Sequence, residues 1–341
     1  MDPLGAALRA SASLSDHVGT TMGGSSEQKV VAVILTHNRL EGAIMRCEEV
    51  TRQTRPPDDI VLVDNGSARG IAEQITSRFP QVSVVRLPEN LGPAGGFAVG
   101  FSEAMRRGCD FVWAIDDDTV VSARCLEALL ADAETAPRSV IFPSRLPHHE
   151  KHGVAWRAML VPADVVRSVG VPRADLFWHL EDTEYFIHRI RDVAGYRLII
   201  SPKAVVWHGT HRPRKGFPGW KLYYQTRNSI FYRFRLKRSW WRRLLTLLRV
   251  AGRLVVIFAR EERGPAKAWL MVRGVADGLR GRMGKTVDPQ SEPPSTLAGS
   301  SPDTREREEA EEAFRRWDAD SETRETMLRL WMNDLERQTG A

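Results

Sequence analysis

The first half of the chain alternates short apolar runs with stretches of helical periodicity, and this alternation limits the possible folds more than any other feature. Four continuous apolar runs are typical of buried strands: VVAVILTHN (30–38), DDIVLVDNGS (58–67), QVSVVRLPEN (81–90) and DFVWAIDDD (110–118). Helical stretches lie between them, at residues 40–53 and 94–108 among others. Strands that alternate with helices predict an α/β fold, with a right-handed, mostly parallel sheet that is flanked by helices.

Each of the four predicted strands ends in polar side chains. In open sheets of this kind the ligand site lies at the carboxyl ends of the strands, so four polar ends predict one shared site. The residues are Thr36, His37, Asn38, Arg39, Asp64, Asn65, Glu89, Asn90, Asp116, Asp117 and Asp118.

Three consecutive carboxylates, Asp116, Asp117 and Asp118, follow the fourth predicted strand directly. Alternate residues after a strand point the same way, so Asp116 and Asp118 can present oxygens to one hard divalent cation, Mg²⁺ or Mn²⁺. Such a cation stabilises the diphosphate of a nucleotide as a leaving group. An acidic surface turn is the alternative interpretation, and which of the three residues are the ligands stays open.

Two later segments add groups that fit the same chemistry. The motif HLEDTEY (179–185) places Glu181 and Asp182 at the start of a predicted helix, 182–193. A carboxylate there can act as a general base on a hydroxyl, although stabilisation by the helix dipole is a structural alternative. His208 ends the strand-like run YRLIISPKAVVWH, and it is either a metal ligand or a structural histidine.

Five motifs in this order resemble glycosyltransferase family 2: VILTHNR, LVDNGS, NLGPAGGFAVG, WAIDDD, and LEDTEY with a later GYRLIISPKAVVWH. The resemblance covers residues 30–234 and implies the GT-A fold with an inverting, metal-dependent transfer from a nucleotide-sugar. The stretches YYQTRN (223–228) and RGVADGLRGRMGK (273–285) are similar to bacterial members that transfer rhamnosyl or galactofuranosyl units during cell-wall or polysaccharide assembly.

The resemblance implies a role for each matching residue. The nucleotide-sugar would be bound by Thr36, Asn38, Arg39, Asp64, Asn90, Gly92, Gly95, Gly96, Asp116 and Asp117, with Asp64 on the base and the glycines allowing close backbone approach. The metal ligands would be Asp116, Asp118 and His208, for Mn²⁺ or Mg²⁺. Asp182 would be the catalytic base, and Glu181 beside it would hold hydroxyls of the acceptor or sugar. His37 departs from the family, which often has tyrosine at this position.

Other classes of protein fit the sequence less well. A nucleotidyltransferase shares the α/β core and acidic site, but it would have a Gly-rich loop with a lysine after the first strand, and ILTHNRLEG has neither. A dinucleotide-dependent oxidoreductase is excluded because no G-x-G-x-x-G follows that strand. The alternative that we keep is a non-catalytic, membrane-associated nucleotide-sugar-binding protein, although its expected loss of Asp182 or of the acidic motif is not seen.

Basic residues are concentrated in 211–285, where 20 Lys and Arg stand against 3 Asp and Glu. Within this region, 239–261 is interrupted by Arg249 and Arg253, and its apolar runs are far shorter than the ~20 residues of a membrane span. Its arginines fall on one face and its tryptophans and aliphatic residues on the opposite one, which predicts an in-plane amphipathic helix on an anionic membrane. Packing on the catalytic domain is the alternative. We expect no nucleic-acid partner, because no base-reading motif accompanies the charge.

The sequence predicts five segments: a disordered leader (1–28), a GT-A catalytic domain (29–235), a basic amphipathic helical region (236–285), a Pro/Ser-rich linker (286–303) and a charged C-terminal helix (304–341). The three cysteines lack paired or metal-like spacing, and the leader lacks a long apolar core. We therefore expect a cytoplasmic protein, peripheral on the inner face of the cell membrane. Its expected partners are a UDP- or dTDP-linked sugar donor and a glycan or polyprenyl-linked acceptor.

Overall fold

The computed structural model describes residues 28–68, 70–146, 154–208, 217–237, 239–289 and 304–319. The strands are β1 (Val30–Thr36), β2 (Asp59–Asp64), β3 (Val82–Arg86), β4 (Phe111–Asp116), β5 (Val120–Val121), β6 (Ser139–Leu146), β7 (Arg157–Pro162) and β8 (Arg197–Trp207). They form one sheet in the order β3-β2-β1-β4-β7-β6-β8-β5. The sheet is parallel from β3 to β4, whereas β7 runs antiparallel to both of its neighbours.

Helices cover both faces of this sheet. They are α1 (Leu40–Thr51), α2 (Ile71–Arg78), α3 (Gly92–Arg106), α4 (Cys125–Thr135), α5 (Ala163–Val169), α6 (Gly219–Phe231), α7 (Trp240–Arg260), α8 (Gly264–Arg280) and α9 (Thr304–Ala319). The predicted helix after Asp182 is present but is a π-helix, Thr183–Val193, and a second π-helical turn, Tyr232–Leu236, follows α6. The predicted α/β fold with a flanked sheet and a C-terminal helical extension is confirmed.

Strand β1 lies at the centre of the parallel part and is buried on both faces. Val31, Val33 and Leu35 pack in one core cluster with α3 and the π-helix, while alternate residues pack in a second cluster with α1 and α4. This two-sided burial explains why the strand is apolar throughout rather than alternating. The register pairs Thr36 with Asp64 and Leu35 with Asp116, so β1, β2 and β4 end at one edge of the sheet.

Helix α3 packs closely on β1, and glycines make this possible. A Cβ atom on Gly96 would lie 2.3 Å from Leu35 Cδ1, and one on Gly100 would lie 2.3 Å from Val33 Cγ1. A Cβ atom on Gly95 would instead lie 2.5 Å from Cβ of Leu91, the residue before the helix. The sequence predicted that Gly95 and Gly96 let the backbone approach a nucleotide-sugar. In the structure both are buried, and the space that a Cβ atom would take is filled by side chains of the protein itself.

The C-terminal helices pack on one another beside the sheet. Helix α7 contacts α6 and α8 through a narrow stripe of Val250, Leu254 and Ile257. A broad apolar stripe on α7 stays exposed: Trp240, Trp241, Leu244, Leu247, Leu248, Val255, Val256 and Phe258. None of the helices in the described ranges combines the length and the apolar character that a membrane crossing requires.

Helix α9 lies against the end of the sheet formed by β8 and β5. Trp317 is 4 % exposed, packs in a cluster with Val120, Val205 and Trp207, and donates its indole N–H to the Pro202 carbonyl at 3.1 Å. The rest of the predicted C-terminal helix, the predicted leader up to residue 27, and residues 290–303 of the predicted linker lie outside the described residues. The segment boundaries therefore stay predictions.

Candidate active site

A cleft of about 310 Å³ lies at the edge where β1, β2 and β4 end. Nine residues that the sequence singled out line it: Thr36, His37, Arg39, Asn65, Asn90, Gly92, Asp116, Asp117 and Asp118. The lining also includes Phe177, Trp178, Trp220 and Lys221 from the second half of the chain. Other predicted site residues do not line the cleft: Asn38, Asp64, Gly95, Gly96, Glu181, Asp182 and His208.

The middle carboxylate of the acidic motif is held by protein groups. Thr36 Oγ1 donates a hydrogen bond to Asp117 Oδ2 at 2.7 Å, and Arg39 Nη1 donates to Asp117 Oδ1 at 2.9 Å. Burial raises the pKa of Asp117 to about 6, and the Arg39 charge opposes this rise. Both oxygens of Asp117 therefore fix the end of β1 to the end of β4, which leaves Asp116 and Asp118 as the better placed ligands.

Asp118 contacts the predicted metal-ligating histidine. His208 Nε2 lies 3.2 Å from Asp118 Oδ2, and its Nδ1 lies 3.4 Å from Arg145 Nη2. Burial alone would raise the pKa of Asp118, but the hydrogen bond and charge of His208, together with Arg39, hold it well below the ordinary value. Strands β4 and β8 thus bring together two predicted ligands that are 90 positions apart in the sequence.

Asp116 lies in an unfavourable electrostatic environment. Its pKa is raised well above the ordinary value, first by burial and then by the charges of Asp118 and Asp117. Buried carboxylates crowded in this way are stabilised by a bound cation, and two carboxylates with an imidazole are suitable ligands for Mg²⁺ or Mn²⁺. Within the described ranges, however, no three His, Cys, Asp or Glu side chains are grouped as an assembled metal site.

The loop that leads to Glu181 and Asp182 is held by one amide side chain. Asn228 Nδ2 donates to the carbonyl oxygens of Leu176 at 2.9 Å, Trp178 at 2.8 Å and His179 at 2.7 Å. Asn228 Oδ1 accepts from Arg227 Nε at 2.8 Å, and both side chains are fully buried. The end of the YYQTRN stretch therefore fixes the loop before the predicted base, a role that its resemblance alone did not indicate.

Gly92 provides the contact between this loop and the first half of the chain. It has φ +69°, and a Cβ atom there would lie 2.0 Å from the Phe177 carbonyl oxygen. The same oxygen accepts the Ala94 N–H at 3.3 Å, while Asn65 Nδ2 donates to the Gly92 carbonyl at 3.1 Å. Asn90 Oδ1 accepts the Gly92 N–H at 2.8 Å. The structure uses Gly92 to bring the loop to the wall of the cleft.

Glu181 is buried and Asp182 is half-buried, and desolvation is the main reason that the pKa of each is raised. Asp182 Oδ1 accepts the Thr183 N–H at 2.5 Å and the Thr183 hydroxyl at 3.1 Å, so it caps the π-helix. The structural alternative for Asp182 is therefore observed, and its catalytic role stays a prediction. The Trp156 side chain hydrogen-bonds to the buried Glu181 and lowers its pKa, which opposes part of the effect of burial.

Arg157 connects the two acidic groups and was missed by the sequence analysis. It begins β7 and lies beside Ile115 in the sheet, next to the acidic motif. Its charge lowers the pKa of both Asp118 and Asp182. No motif surrounds it, and only the antiparallel pairing of β7 with β4 brings it to this place.

The predicted base-binding residue, Asp64, has one oxygen without a hydrogen bond. Its Oδ1 accepts the Ser67 N–H at 3.0 Å, whereas its buried Oδ2 has no hydrogen-bond partner in the part of the chain that the structure describes and lies 3.9 Å from Arg86 Nε in an ion pair. A buried acceptor of this kind is what a ring N–H of a base requires. Asn38 is exposed with φ 56°, and it bonds to Ser67 and Ala68 rather than facing the cleft.

Comparison with known proteins gives a family for the part of the chain that carries the acidic motif. Residues 31–185 match the model of "Glycosyl transferase family 2". This segment is a glycosyltransferase family 2 domain, so the resemblance seen in the motifs is confirmed.

Among curated relatives, galactofuranosyltransferase GlfT1 of Mycobacterium tuberculosis is 33 % identical over 198 residues, which are 48 % of this chain and 65 % of the relative. GlfT1 of Mycolicibacterium smegmatis is 30 % identical over 195 residues, which are 47 % and 64 % of the two chains. The chain thus spans slightly less than two thirds of the length of these relatives.

Two solved structures share the fold at low sequence identity. S. aureus TarS 1-349 in complex with UDP-GlcNAc has a TM-score of 0.51 and 12 % identity, and the match covers 74 % of this chain and 81 % of TarS. Mannosyltransferase PcManGT from Pyrobaculum calidifontis, in complex with GDP-Man and Mn²⁺, has a TM-score of 0.50 and 15 % identity, with coverage of 82 % and 95 %.

Proposed function

We propose that the protein is an inverting glycosyltransferase that moves a galactofuranosyl unit from a nucleotide-sugar to a glycan or polyprenyl-linked acceptor in cell-wall or polysaccharide assembly. The observation that carries the proposal is the meeting of Asp118 and His208 beside Asp116 at the cleft. The GlfT1 relatives support galactofuranose as the sugar, and they give no support to rhamnose. Nothing in the structure favours a non-catalytic binding protein.

The residues around the cleft suggest a division of roles. Asp116, Asp118 and His208 would hold Mn²⁺ or Mg²⁺, which when bound neutralises negative charge on the diphosphate leaving group. Asp64 Oδ2 would accept the base N–H, and Asp182 would take the proton of the acceptor hydroxyl as it attacks the anomeric carbon. Glu181, buried beside Asp182, would orient hydroxyl groups of the acceptor or sugar.

Replacing Asp118 by alanine tests the metal and nucleotide site together. We expect the wild-type protein to bind UDP at least about tenfold more tightly with Mn²⁺ than with EDTA, and Asp118→Ala to lose this difference, because a coordinating carboxylate is removed. Isothermal titration calorimetry with UDP and dTDP measures both. Asp132→Ala, on α4, is the matched control and should bind as the wild type does.

Two results would count against the proposal in different ways. Equal UDP binding with and without metal would remove the metal from the mechanism. Failure of the folded wild-type protein to bind either nucleotide under any condition would remove the glycosyltransferase assignment itself.

We also propose that the exposed stripe of α7 docks on an anionic membrane at the cytoplasmic face, where a lipid-linked acceptor is presented. Trp240 is 74 % exposed and Phe258 is 62 % exposed, although both are large apolar side chains. Arg242, Arg249 and Arg260 extend from the same helix. A helix with tryptophan at one end, an apolar stripe and abundant arginine suits the boundary between lipid headgroups and acyl chains.

A single substitution on the α7 stripe should weaken membrane binding. We expect Phe258→Ser to reduce partitioning onto vesicles of phosphatidylglycerol and phosphatidylcholine about tenfold, since a Phe side chain contributes roughly 1.5–3 kcal/mol when buried. Val193→Ser is the matched control, because Val193 is 69 % exposed but lies on the π-helix. Co-sedimentation measures the partitioning. Equal losses in both variants, or no loss in either, would show that the stripe does not bind lipid.

A further inference from the structure

Lys221 is the least explained charged residue in the cleft. It lies in the first turn of α6, and its Nζ is 5.2 Å from the ring centroid of Trp178 and 5.3 Å from that of Trp220. All three residues line the same cleft as the acidic motif. Burial lowers the pKa of Lys221, and no neighbouring charge offsets this. The side chain is therefore a partly desolvated cation that is held on two indole rings.

Lys221 differs from the other described lysines in having no anionic partner. Lys29, Lys237, Lys267 and Lys285 each form an ion pair with a carboxylate. Lys203 is exposed and needs none. Among the described residues, Lys221 alone combines partial burial with neither an ion pair nor a hydrogen bond, so its ammonium donors are left for a ligand.

The helix that carries Lys221 adds to the positive potential. Helix α6 has 13 residues, begins at Gly219 and has no acidic residue in its first turn. The amino end of a helix carries a partial positive charge, so a lysine there is disfavoured unless an anion is close. A half-buried cation at a helix amino end that lines a cleft is the arrangement expected of an anion site.

We propose that Lys221, supported by Trp178 and Trp220, binds a diphosphate group in the cleft. The inference rests on the proposed function, because a diphosphate is what a nucleotide-sugar donor and a polyprenyl diphosphate acceptor have in common. Lysine recognises phosphate as a point charge with three donors, and the two indoles restrict its position without neutralising it. The diphosphate would then contact Lys221 in the cleft that the acidic motif also lines.

Titration with inorganic pyrophosphate tests the proposal without assuming a nucleotide. We expect Lys221→Met to bind pyrophosphate about tenfold more weakly than the wild type, and Lys221→Arg to bind it within about threefold, since arginine keeps the charge-assisted hydrogen bond that methionine removes. Lys203→Met is the matched control and should be unchanged. Thermal unfolding of each variant confirms that the comparison is between folded proteins.

Further titrations distinguish the two sources of the diphosphate. Weaker UDP binding by Lys221→Met, with uridine binding unchanged, assigns the group to the donor. Unchanged UDP binding, with a KM about tenfold higher for a polyprenyl diphosphate acceptor but not for an acceptor that lacks phosphate, assigns it to the acceptor.

The inference would be overturned if Lys221→Met equalled the wild type in three measurements. These are its affinity for pyrophosphate, its affinity for UDP and its KM for the acceptor. If the wild type binds neither UDP nor dTDP but binds pyrophosphate through Lys221, the proposed function fails while the anion site stands. If the wild type does not bind pyrophosphate either, the anion site fails as well.

Discussion

Replacing Asp182 by asparagine is expected to lower kcat about 10³-fold while leaving the dissociation constant for UDP within about twofold. General-base catalysis by a positioned carboxylate contributes typically about 10²–10⁴-fold to a rate. Asparagine keeps the shape and can still accept the Thr183 N–H that Asp182 accepts, so the cap of the π-helix should survive. Steady-state kinetics of sugar transfer, together with calorimetric binding of UDP, separates the two effects.

A second carboxylate in the same segment provides the control. Glu184 is buried and paired with Arg189 at 3.0 Å, so Glu184→Gln should reduce stability and leave kcat within about threefold. A fall in kcat of less than about tenfold in Asp182→Asn would show that Asp182 is a cap and not the base.

The pH dependence gives an independent check of the same role. Asp182 works as a base only when it is deprotonated, and burial raises its pKa above the ordinary value. The rate should therefore rise with pH through a value higher than the ~3.9 of an unperturbed aspartate. Asp182→Asn should remove this limb of the profile, whereas Glu184→Gln should retain it.

Replacing Gly92 by alanine is expected to destabilise the protein by about 3 kcal/mol and to reduce sugar transfer at the same time. The added Cβ would lie 2.0 Å from the oxygen and 2.7 Å from the carbon of the Phe177 carbonyl, and a backbone group cannot rotate away as a side chain does. The positive φ of Gly92 adds strain for any L-residue. Urea unfolding of the full chain measures the loss.

The chain contains a closely matched control for this substitution. Gly108 has the same φ, +69°, but a Cβ atom there would meet nothing within 4 Å. Gly108→Ala should lower the free energy of unfolding by only about 1 kcal/mol, because backbone strain is its only effect. If the two variants lose equal stability, the contact between Gly92 and the Phe177 loop is not what the glycine provides.

The parallel half of the sheet was predictable because its strands are local in sequence and buried on both faces. Continuous apolar runs that end in polar residues place Thr36, Asp64 and Asp116 at one edge, and the observed register agrees. The acidic motif was predicted as a unit. Its register was not, because only the hydrogen bonds from Thr36 and Arg39 distinguish Asp117 from its neighbours.

The cleft residues from the second half of the chain were not predictable in the same way. Trp178, Trp220 and Lys221 lie on a loop and a helix that are joined to the acidic motif only through tertiary packing. Arg157 reaches its place through antiparallel pairing, which has no signal in an apolar strand sequence. The π-helix after Asp182 buries residues at spacings that an α-helix would also give, so periodicity alone could not distinguish the two.

The packing of α9 has a consequence for how the isolated protein behaves. Strand β5 has two residues and pairs only with Val206 and Trp207, so most of β8 is an edge strand on that side. The register of β8 with β6 jumps between Ser201 and Val205, and Trp317 of α9 bonds to the Pro202 carbonyl inside this bulge. A bulge, a proline and a covering helix are the devices that prevent an edge from templating strand addition. A shortened chain that ends before α9 would therefore expose the edge of β8, the strand that leads to His208. Pairing of this edge with a second copy of the chain would then compete with folding.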